Sequence, residues 1–176
     1  GTAAQVIETL QNKSGYTGDI TITNDYTVAQ LKAINAATTG AITLNTTNVA
    51  LSGTSSDLAL AFAGTVTTHT GTVTITNADY TVAQLKTINA ATTGAITLTT
   101  TTTALIGASS DLAAAFAGTI TTHNGNIIIT NAPSVHELKA INAGTTGTIT
   151  LIVTNAALSG TSSDLVSAFS GTITEY

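Results

Sequence analysis

The chain of 176 residues contains no cysteine, no methionine, no tryptophan and no arginine. Without cysteine it has no disulfide framework, no thiolate nucleophile and no sulfur ligand for a metal. Its four lysines are too few for a nucleic-acid surface, which needs several cationic contacts with phosphates, or for recruitment to an anionic membrane. No hydrophobic run is long enough to span a bilayer, so neither nucleic-acid binding nor membrane insertion is expected.

Charge is also scarce. Charged residues make up 7% of the chain, against roughly 25% in ordinary soluble domains. Disorder is not expected, because hydrophobic residues reach 43% while the net charge is only -5. Aromatic residues account for 4%, so the core must be built from Ile, Val, Leu and Ala. Because no initiator methionine is present, we expect a processed product or a segment of a longer protein.

Internal repetition is the strongest feature. The phrase YTVAQLKAINAATTGAITL at Tyr26–Leu44 returns at Tyr80–Leu98 with a single change. A shorter phrase, SSDL, recurs at intervals of 54 and 53 residues, which places its aspartates at Asp57, Asp111 and Asp164. This spacing predicts three repeats, after a diverged N-terminal cap or partial repeat at 1–15, with bounds 16–68, 69–122 and 123–176.

The second repeat illustrates the first half of the pattern. GTVTITN alternates Thr with Val and Ile, which is typical of a strand with one buried face. YTVAQLKTINAATTG then changes to helical spacing, with Val82, Leu85 and Ile88 on one face. A capping box of Thr81 and Gln84 starts this helix, and Gly94 is the expected stop. AITLTT predicts the next strand.

The second half of the repeat is shorter. After a Thr-rich loop, ASSDLAAAFAG predicts a short helix that is capped by Ser109 or Ser110 and buries Leu112 and Phe116. TITT at 119–122 predicts a third strand. One such unit has too few apolar side chains for an independent core, so stacked copies are expected to share one.

These elements predict an α/β repeat solenoid with two short helices and Thr-rich, mainly parallel strands in each repeat of 53 or 54 residues. The alternative is a β-rich sandwich of repeat modules. The joint at His69-Thr70 is short enough for a hairpin, which would make some strands antiparallel.

The candidate functional residues have structural interpretations. Four positions mark the repeat edge, called here the repeat seam: Tyr16, His69, His123 and Tyr176. A position that accepts either His or Tyr favours stacking or hydrogen bonding over catalysis or metal ligation. The aspartates Asp57, Asp111 and Asp164 are interpreted as helix-cap residues, because an acidic group in a first helical turn interacts favourably with the helix dipole. No catalytic or cofactor-binding residue and no metal ligand is predicted.

Two ligands were weighed beside these roles. Calcium would need clustered oxygen atoms, and the nearest candidates are Asp19, Asn24 and Asp25 or Asn77 and Asp79, without an EF-hand loop or a calcium-binding nonapeptide array. Outward threonines on stacked strands could instead form ordered ranks that bind ice or a surface polysaccharide. The candidates for this Thr face are Thr21, Thr23, Thr74 and Thr76.

The phrases TITNADYTVAQLKTINAATTGAITL and LSGTSSDLALAFAGTVTTHTG resemble tandem repeats of very large secreted bacterial proteins, particularly cyanobacterial surface and RTX-like proteins. The Thr-, Ala-, Gly- and Asn-rich composition is similar to that of surface-layer and adhesin proteins. The resemblance implies an extracellular location at the bacterial cell surface and a structural role. We therefore expect a non-enzymatic protein that associates end to end with copies of itself, in a filament, layer or adhesin stalk.

Overall fold

The computed structural model describes residues 1–11, 13 and 15–175 of the chain. Over these residues the fold is α/β, with seven helices and nine strands in three sheets. None of the described sheets closes into a barrel. The seam residue Tyr176 lies outside the described residues.

Helices and strands occur along the whole chain. The helices are α1 Ala3–Leu10, α2 Val28–Ala37, α3 Ser55–Ala61, α4 Val82–Ala91, α5 Ser109–Ala115, α6 Val135–Gly144 and α7 Ser162–Ala168. The strands are β1 Ile20–Ile22, β2 Ile42–Leu44, β3 Leu51–Gly53, β4 Val73–Ile75, β5 Ile96–Leu98, β6 Leu105–Gly107, β7 Ile127–Ile129, β8 Ile149–Leu151 and β9 Ile173–Glu175.

The longer helices α2, α4 and α6 begin at capping boxes. In α4 the predicted box is confirmed, because the Thr81 hydroxyl accepts from the Gln84 backbone N–H and the Gln84 side chain accepts from the Thr81 N–H. The predicted stop at Gly94 is wrong. The helix ends at Ala91. The next residue, Thr92, has an extended conformation because it forms a parallel bridge with His69.

The shorter helices α3, α5 and α7 begin at the first serine of the SSDL phrase, and the residue before that serine is the N-cap. Thr54 and Thr161 are the N-caps of α3 and α7, and Ala108 takes that position in α5 without a side-chain hydrogen bond. The prediction that Ser109 or Ser110 caps α5 is therefore wrong, since both lie inside the helix. The expected burial of Leu112 and Phe116 is confirmed.

Every strand pairing among the described residues is parallel. The sheets have the orders β1-β2, β3-β4-β5 and β6-β7-β8-β9. The hairpin considered at His69-Thr70 is wrong, because the chain there forms a parallel bridge to Thr92 and leads into β4, which also pairs in parallel. Parallel strands need a connection of a dozen or more residues, and the segments that contain the helices supply it.

The strands differ from the prediction at two places. TITT at 119–122 contributes a single bridge, between Ile120 and Ile96, and no named strand. In contrast, β3 and β6 lie where a Thr-rich loop was expected. The three-residue sequences LSG and LIG are too short to show the alternation of apolar and polar residues that predicts a strand. These segments form strands because they pair with neighbouring strands.

The sheets cross the predicted repeat boundaries. Strand β3, in repeat 16–68, pairs with β4, in repeat 69–122, and Leu51 lies in register with Val73. Strand β6 pairs with β7 across the next boundary in the same way. A sheet therefore takes its strands from two successive sequence repeats and ties them together.

One apolar core runs through the described chain, and each helix packs against the helices before and after it. Strand residues alternate, so that Ile20 and Ile22 are buried while Thr21 is exposed. On α4 the predicted apolar face of Val82, Leu85 and Ile88 is buried. The side chains that hold successive helices together surround this core.

Candidate functional site

An ion pair links each long helix to the short helix that follows. The amine of Lys32 on α2 lies 2.5 Å from the Asp57 carboxylate on α3. The equivalent pairs are Lys86–Asp111 at 2.5 Å and Lys139–Asp164 at 2.7 Å. The hydrogen bond from Lys32 is the main cause that lowers the pKa of Asp57.

The aspartates lie in the first turn of their helices, as the sequence suggests, but they are not the N-caps. In α3 the Thr54 hydroxyl accepts from the Asp57 backbone N–H at 3.1 Å. In α7 Thr161 does the same for Asp164, at 3.1 Å. The carboxylates themselves bind the lysine of the preceding helix, so they contribute to contacts between helices.

An asparagine on each long helix binds the carboxyl end of the following short helix. The side-chain amide of Asn35 donates to the backbone carbonyls of Leu60 at 2.8 Å and Ala63 at 2.6 Å. Asn89 donates to Ala114 at 2.9 Å and also to Ala117. Asn142 donates to the Ser167 carbonyl of α7 at 2.9 Å, and its second acceptor is the Ser170 hydroxyl at 2.6 Å. These carbonyls have no partner within their own helix, so the asparagine satisfies them.

A second asparagine binds the amino end of the same short helices from the other side. The Asn77 side-chain oxygen accepts from the Ser55 backbone N–H at 2.7 Å. Asn131 accepts equally from Ser109 at 2.7 Å, and Asn24 accepts from Ala3 at 2.9 Å. Helices α1, α3 and α5 are thus each held at the amino end by the strand–helix unit that follows.

These three side-chain contacts form the inter-helix contact set, which consists of Lys32, Lys86, Lys139, their aspartates, and the asparagines Asn24, Asn35, Asn77, Asn89, Asn131 and Asn142. In the sequence these lysines, and likewise Asn35, Asn89 and Asn142, recur at the same intervals of 54 and 53 residues, but the recurrence does not indicate their partners. The recurrence was the available signal. The partners lie about 25 residues away, and only the stacking of the helices identifies them.

The seam residues occupy equivalent places. Tyr16, His69 and His123 form parallel bridges with Thr38, Thr92 and Thr145, the residues that follow α2, α4 and α6. Both histidines are fully buried. The third histidine, His136, is exposed on α6.

His69 lies among aromatic side chains. Its Nδ1 is 3.0 Å from the Tyr26 hydroxyl, and its ring centre is 5.5 Å from that of Phe62. Burial, followed by the charge of Asp25, raises the pKa of Tyr26 to about 12. Burial is also the main cause that lowers the pKa of His69, against an opposing effect of the Val49 backbone.

His123 has similar neighbours but different hydrogen bonds. Its ring centre is 6.1 Å from Tyr80 and 5.6 Å from Phe116. The Tyr80 hydroxyl donates to the Thr100 carbonyl at 2.8 Å, and neither ring nitrogen of His123 has a hydrogen-bond partner in the described structure. Burial is the main cause that lowers the pKa of His123, so the core disfavours the charged form of both histidines.

The Thr face is present in part. Thr21 lies in register with Thr43, and Thr74 with Thr97. Thr150 lies opposite Thr174, with the hydroxyls 3.1 Å apart. Thr23 and Thr76 are exposed just beyond β1 and β4, where their backbone N–H groups bind the carbonyls of Gly1 and Gly53.

That face is not uniform. In the last sheet Ile128 takes the position of Thr74 and Ile106 that of Ser52, and Ile106 is 60% exposed. In the middle sheet Ser52 lies opposite Thr74. The ranks of threonine therefore extend over two strands at a time.

Four of the five residues considered for calcium, Asp19, Asn24, Asn77 and Asp79, have side-chain oxygens that accept hydrogen bonds from the protein. Asp19 accepts from the Ala41 backbone N–H at 2.8 Å, and the side-chain oxygens of Asn24 and Asn77 accept from helix amino ends. Asp79 accepts from the Asn77 amide at 2.6 Å. Across the described residues, no three His, Asp or Glu side chains cluster closely enough to hold a metal ion.

The grooves on the helical side are open and shallow. One of about 590 Å³ lies beside α2 and is lined by Val28, Ala33 and Gly53, and its charged groups are the paired Lys32 and Asp57. Within 1–11, 13 and 15–175, none of the helices has both the length and the apolarity that a membrane span requires.

No protein-family model matches the chain, and no curated protein or solved structure matches it. The function therefore has to be argued from the contacts described above.

The asparagine contacts can be tested in the middle of the chain. Asn89→Ala leaves two carbonyls at the end of α5 without their donor, and we expect it to lower the free energy of unfolding by about 1–3 kcal/mol. Chemical denaturation measures the change. Asn48→Ala, at an exposed position, is the matched control and should have little effect. Equal losses in the two variants would contradict the assigned role.

The buried histidines predict a pH dependence. In the unfolded chain histidine has a pKa of about 6.5, and burial lowers the pKa of His69 and His123 in the fold. Below about pH 6.5 the unfolded state binds more protons, so stability is highest above that pH and falls on acidification. Denaturation midpoints between about pH 8 and pH 5 measure this effect.

The control for this dependence is a set of variants. His69→Leu with His123→Leu should flatten the pH dependence above about pH 5, whereas His136→Ala should retain it, because His136 is exposed. A further loss below about pH 4 is expected from carboxylates such as Asp57 and Glu137, whose pKa values are lowered by hydrogen bonds. A midpoint that stays constant from pH 8 to pH 5 would contradict the assignment.

Proposed function

We propose that this protein is a structural, self-associating repeat protein of the bacterial exterior, and that it forms part of a fibre, a surface layer or an adhesin stalk. The observation that carries the proposal is the recurrent inter-helix contact set. In each repeat the lysine, the aspartate and the asparagines bind the neighbouring helix. The recurring polar side chains thus connect each helix to the next in the same way in every repeat.

In this proposal the architecture is an α/β solenoid. The sheet β6-β7-β8-β9 is connected by the three helices α5, α6 and α7, and the middle sheet is continued by the bridge at Ile120. Because every one of these pairings is parallel, successive strand–helix units have the same direction and can stack on one another.

Self-association is supported by the apolar surface at α7. Phe169 is 47% exposed, whereas the equivalent Phe62 and Phe116 are 3% and 6% exposed beneath the next helix. Val166 on the same helix is 72% exposed. A contiguous exposed apolar surface of this kind marks an interaction site, and an end-to-end contact repeated by each copy gives a filament unless it closes a ring.

The extracellular location is proposed from composition and from the resemblance to bacterial surface repeats. A chain without cysteine and with 7% charged residues fits that class of proteins. The proposal assigns no catalytic residue and requires no cofactor. Calcium, if it acts, would do so at contacts between copies.

A second candidate function is binding of ice or a surface polysaccharide through the Thr face. It is favoured by the parallel register of threonines, Thr21 with Thr43 and the half-buried Thr74 with Thr97. The interruption of the face at Ile106 and Ile128 makes it the weaker candidate.

Self-association is tested by sedimentation and electron microscopy over a range of concentrations. We expect oligomers that grow with concentration and appear as filaments or sheets, because burial of Phe169 and Val166 favours assembly. Phe169→Glu should shift assembly to at least about tenfold higher concentration, as burying a charge opposes the contact. Leu60→Glu, at a 50% exposed position on α3, is the control and should assemble normally. A monodisperse monomer at high concentration would overturn the proposal.

The Thr face is tested by thermal hysteresis and by retention on polysaccharide gels. If the face binds, the unmodified chain shows one of these activities, and Thr74→Tyr with Thr97→Tyr abolishes it by disrupting the flat surface. Thr68→Tyr, exposed but outside every strand, should leave it unchanged. If the unmodified chain shows neither thermal hysteresis nor retention on the gels, binding through the Thr face is ruled out.

A further inference from the structure

The third repeat contains the single Asn-Gly dipeptide of the chain, Asn124-Gly125. An asparagine followed by glycine is prone to deamidation, because glycine has no side chain to keep its backbone nitrogen away from the preceding side-chain amide. The equivalent dipeptides are Thr17-Gly18 in the first repeat and Thr70-Gly71 in the second, so the site is particular to the third repeat. It lies directly after the buried seam residue His123.

Deamidation begins when the backbone nitrogen of the glycine loses its proton and attacks the side-chain carbonyl carbon of the asparagine. A carbon–nitrogen bond forms, the side-chain nitrogen takes up a proton and leaves as ammonia, and a five-membered succinimide ring remains. Water then opens the ring at either carbonyl, which gives aspartate or isoaspartate without any oxidation or reduction. In isoaspartate the main chain runs through the former side chain, so the backbone is longer by one methylene group.

In the folded chain both reacting groups are held by hydrogen bonds to other segments. The Gly125 backbone N–H donates to the Thr101 carbonyl at 2.9 Å. The Asn124 side-chain oxygen accepts from the Thr146 hydroxyl at 2.9 Å, and the Asn124 amide donates to the Thr101 hydroxyl at 3.2 Å. The attack of the glycine nitrogen on the asparagine requires the loss of these contacts, so it requires local opening of the chain at this point.

The backbone around Gly125 has no room for an added methylene group. A Cβ atom on Gly125 would collide with the Thr103 backbone, and a Cβ atom on Gly147 would collide with the Gly125 backbone. The chain is also fixed on both sides of the dipeptide, by the parallel bridge of His123 and by β7, which pairs with β6 and β8. A longer backbone between these two anchors therefore breaks either the close packing or the register.

We propose that Asn124-Gly125 is a deamidation site that the fold protects, and that isoaspartate at position 124 prevents this segment from closing again. Each local opening exposes the dipeptide to reaction, and each conversion to isoaspartate makes the opening permanent. The reagent is water, and the step takes place within the chain itself. The site thus limits the lifetime of the second and third repeats as one stacked unit, and it does so whether or not copies of the chain associate.

Conversion of Asn124 to ordinary aspartate has a smaller effect. The new carboxylate still accepts from the Thr146 hydroxyl, and the Thr101 hydroxyl can turn to donate to it. The added negative charge lies at an exposed position, where substitutions usually change stability little. The lengthened backbone, and not the charge, is therefore the change that keeps the segment open.

Peptide mapping by mass spectrometry tests the protection, with the chain incubated in mildly alkaline buffer either folded or unfolded by guanidinium chloride. We expect Asn124 to react at least about tenfold more slowly in the folded chain, because only opened molecules react. Thr146→Val should raise the rate in the folded chain alone, and Thr68→Val, at an exposed position, is its control. Asn126, which precedes Ile127, should react far more slowly than Asn124 in the unfolded chain. Equal rates at Asn124 in folded and unfolded chain, or no reaction there in the unfolded chain, would overturn the proposal.

The consequence of the reaction is tested on aged protein, from which the isoaspartate and aspartate forms are separated by chromatography. We expect the isoaspartate form to have a lower denaturation midpoint than the unmodified chain. An Asn124→Asp variant should stay close to the unmodified chain, because its backbone is not lengthened. Asn124→Thr, which restores the residue type of the second repeat, should keep its midpoint throughout the incubation. An isoaspartate form as stable as the unmodified chain would contradict the permanent opening.

Discussion

The helices in this protein depend on their neighbours to satisfy their own backbones. A helix leaves four N–H and four C=O groups without internal partners, so helices of seven residues such as α3, α5 and α7 consist mostly of such groups. Isolated helices of this length are not stable in water. The asparagines Asn35 and Asn77, from the preceding and following units, supply the missing partners at the two ends of α3. Local structure and packing are therefore inseparable here.

The same dependence decides which parts of the fold could be predicted. The apolar face of α4 and its capping box follow from nearby residues, so periodicity and spacing were sufficient. Strand β6 follows from its pairing with β7, about 22 residues away, and its phrase LIG carries no local signal. The N-cap of α5 was misplaced because SSDL offers two serines, whereas the helix begins after Ala108.

The contact set shows a similar limit. Recurrence at 53 or 54 residues identified Lys86 and Asn89 as equivalent to residues in the other repeats, but it contains no information about which helix each one faces. The seam positions were interpreted as stacking sites, and the full burial of His69 and His123 could not be inferred from the alternation of His and Tyr. The burial of a histidine such as His69 depends on neighbouring aromatic rings. These belong to residues such as Tyr26 and Phe62, which lie outside the local sequence around the histidine.

The charge distribution restricts how copies of the chain can associate. Three of its four lysines are paired within the chain, and the carboxylates outnumber the basic groups by nine to four. Attraction between opposite charges on separate copies can therefore contribute little, and the net charge of -5 opposes contact. Assembly would therefore depend on backbone hydrogen bonds between strands of separate copies and on the burial of apolar side chains between them. The largest exposed apolar side chains available for such a contact include Phe169 and Val166 on and just after α7.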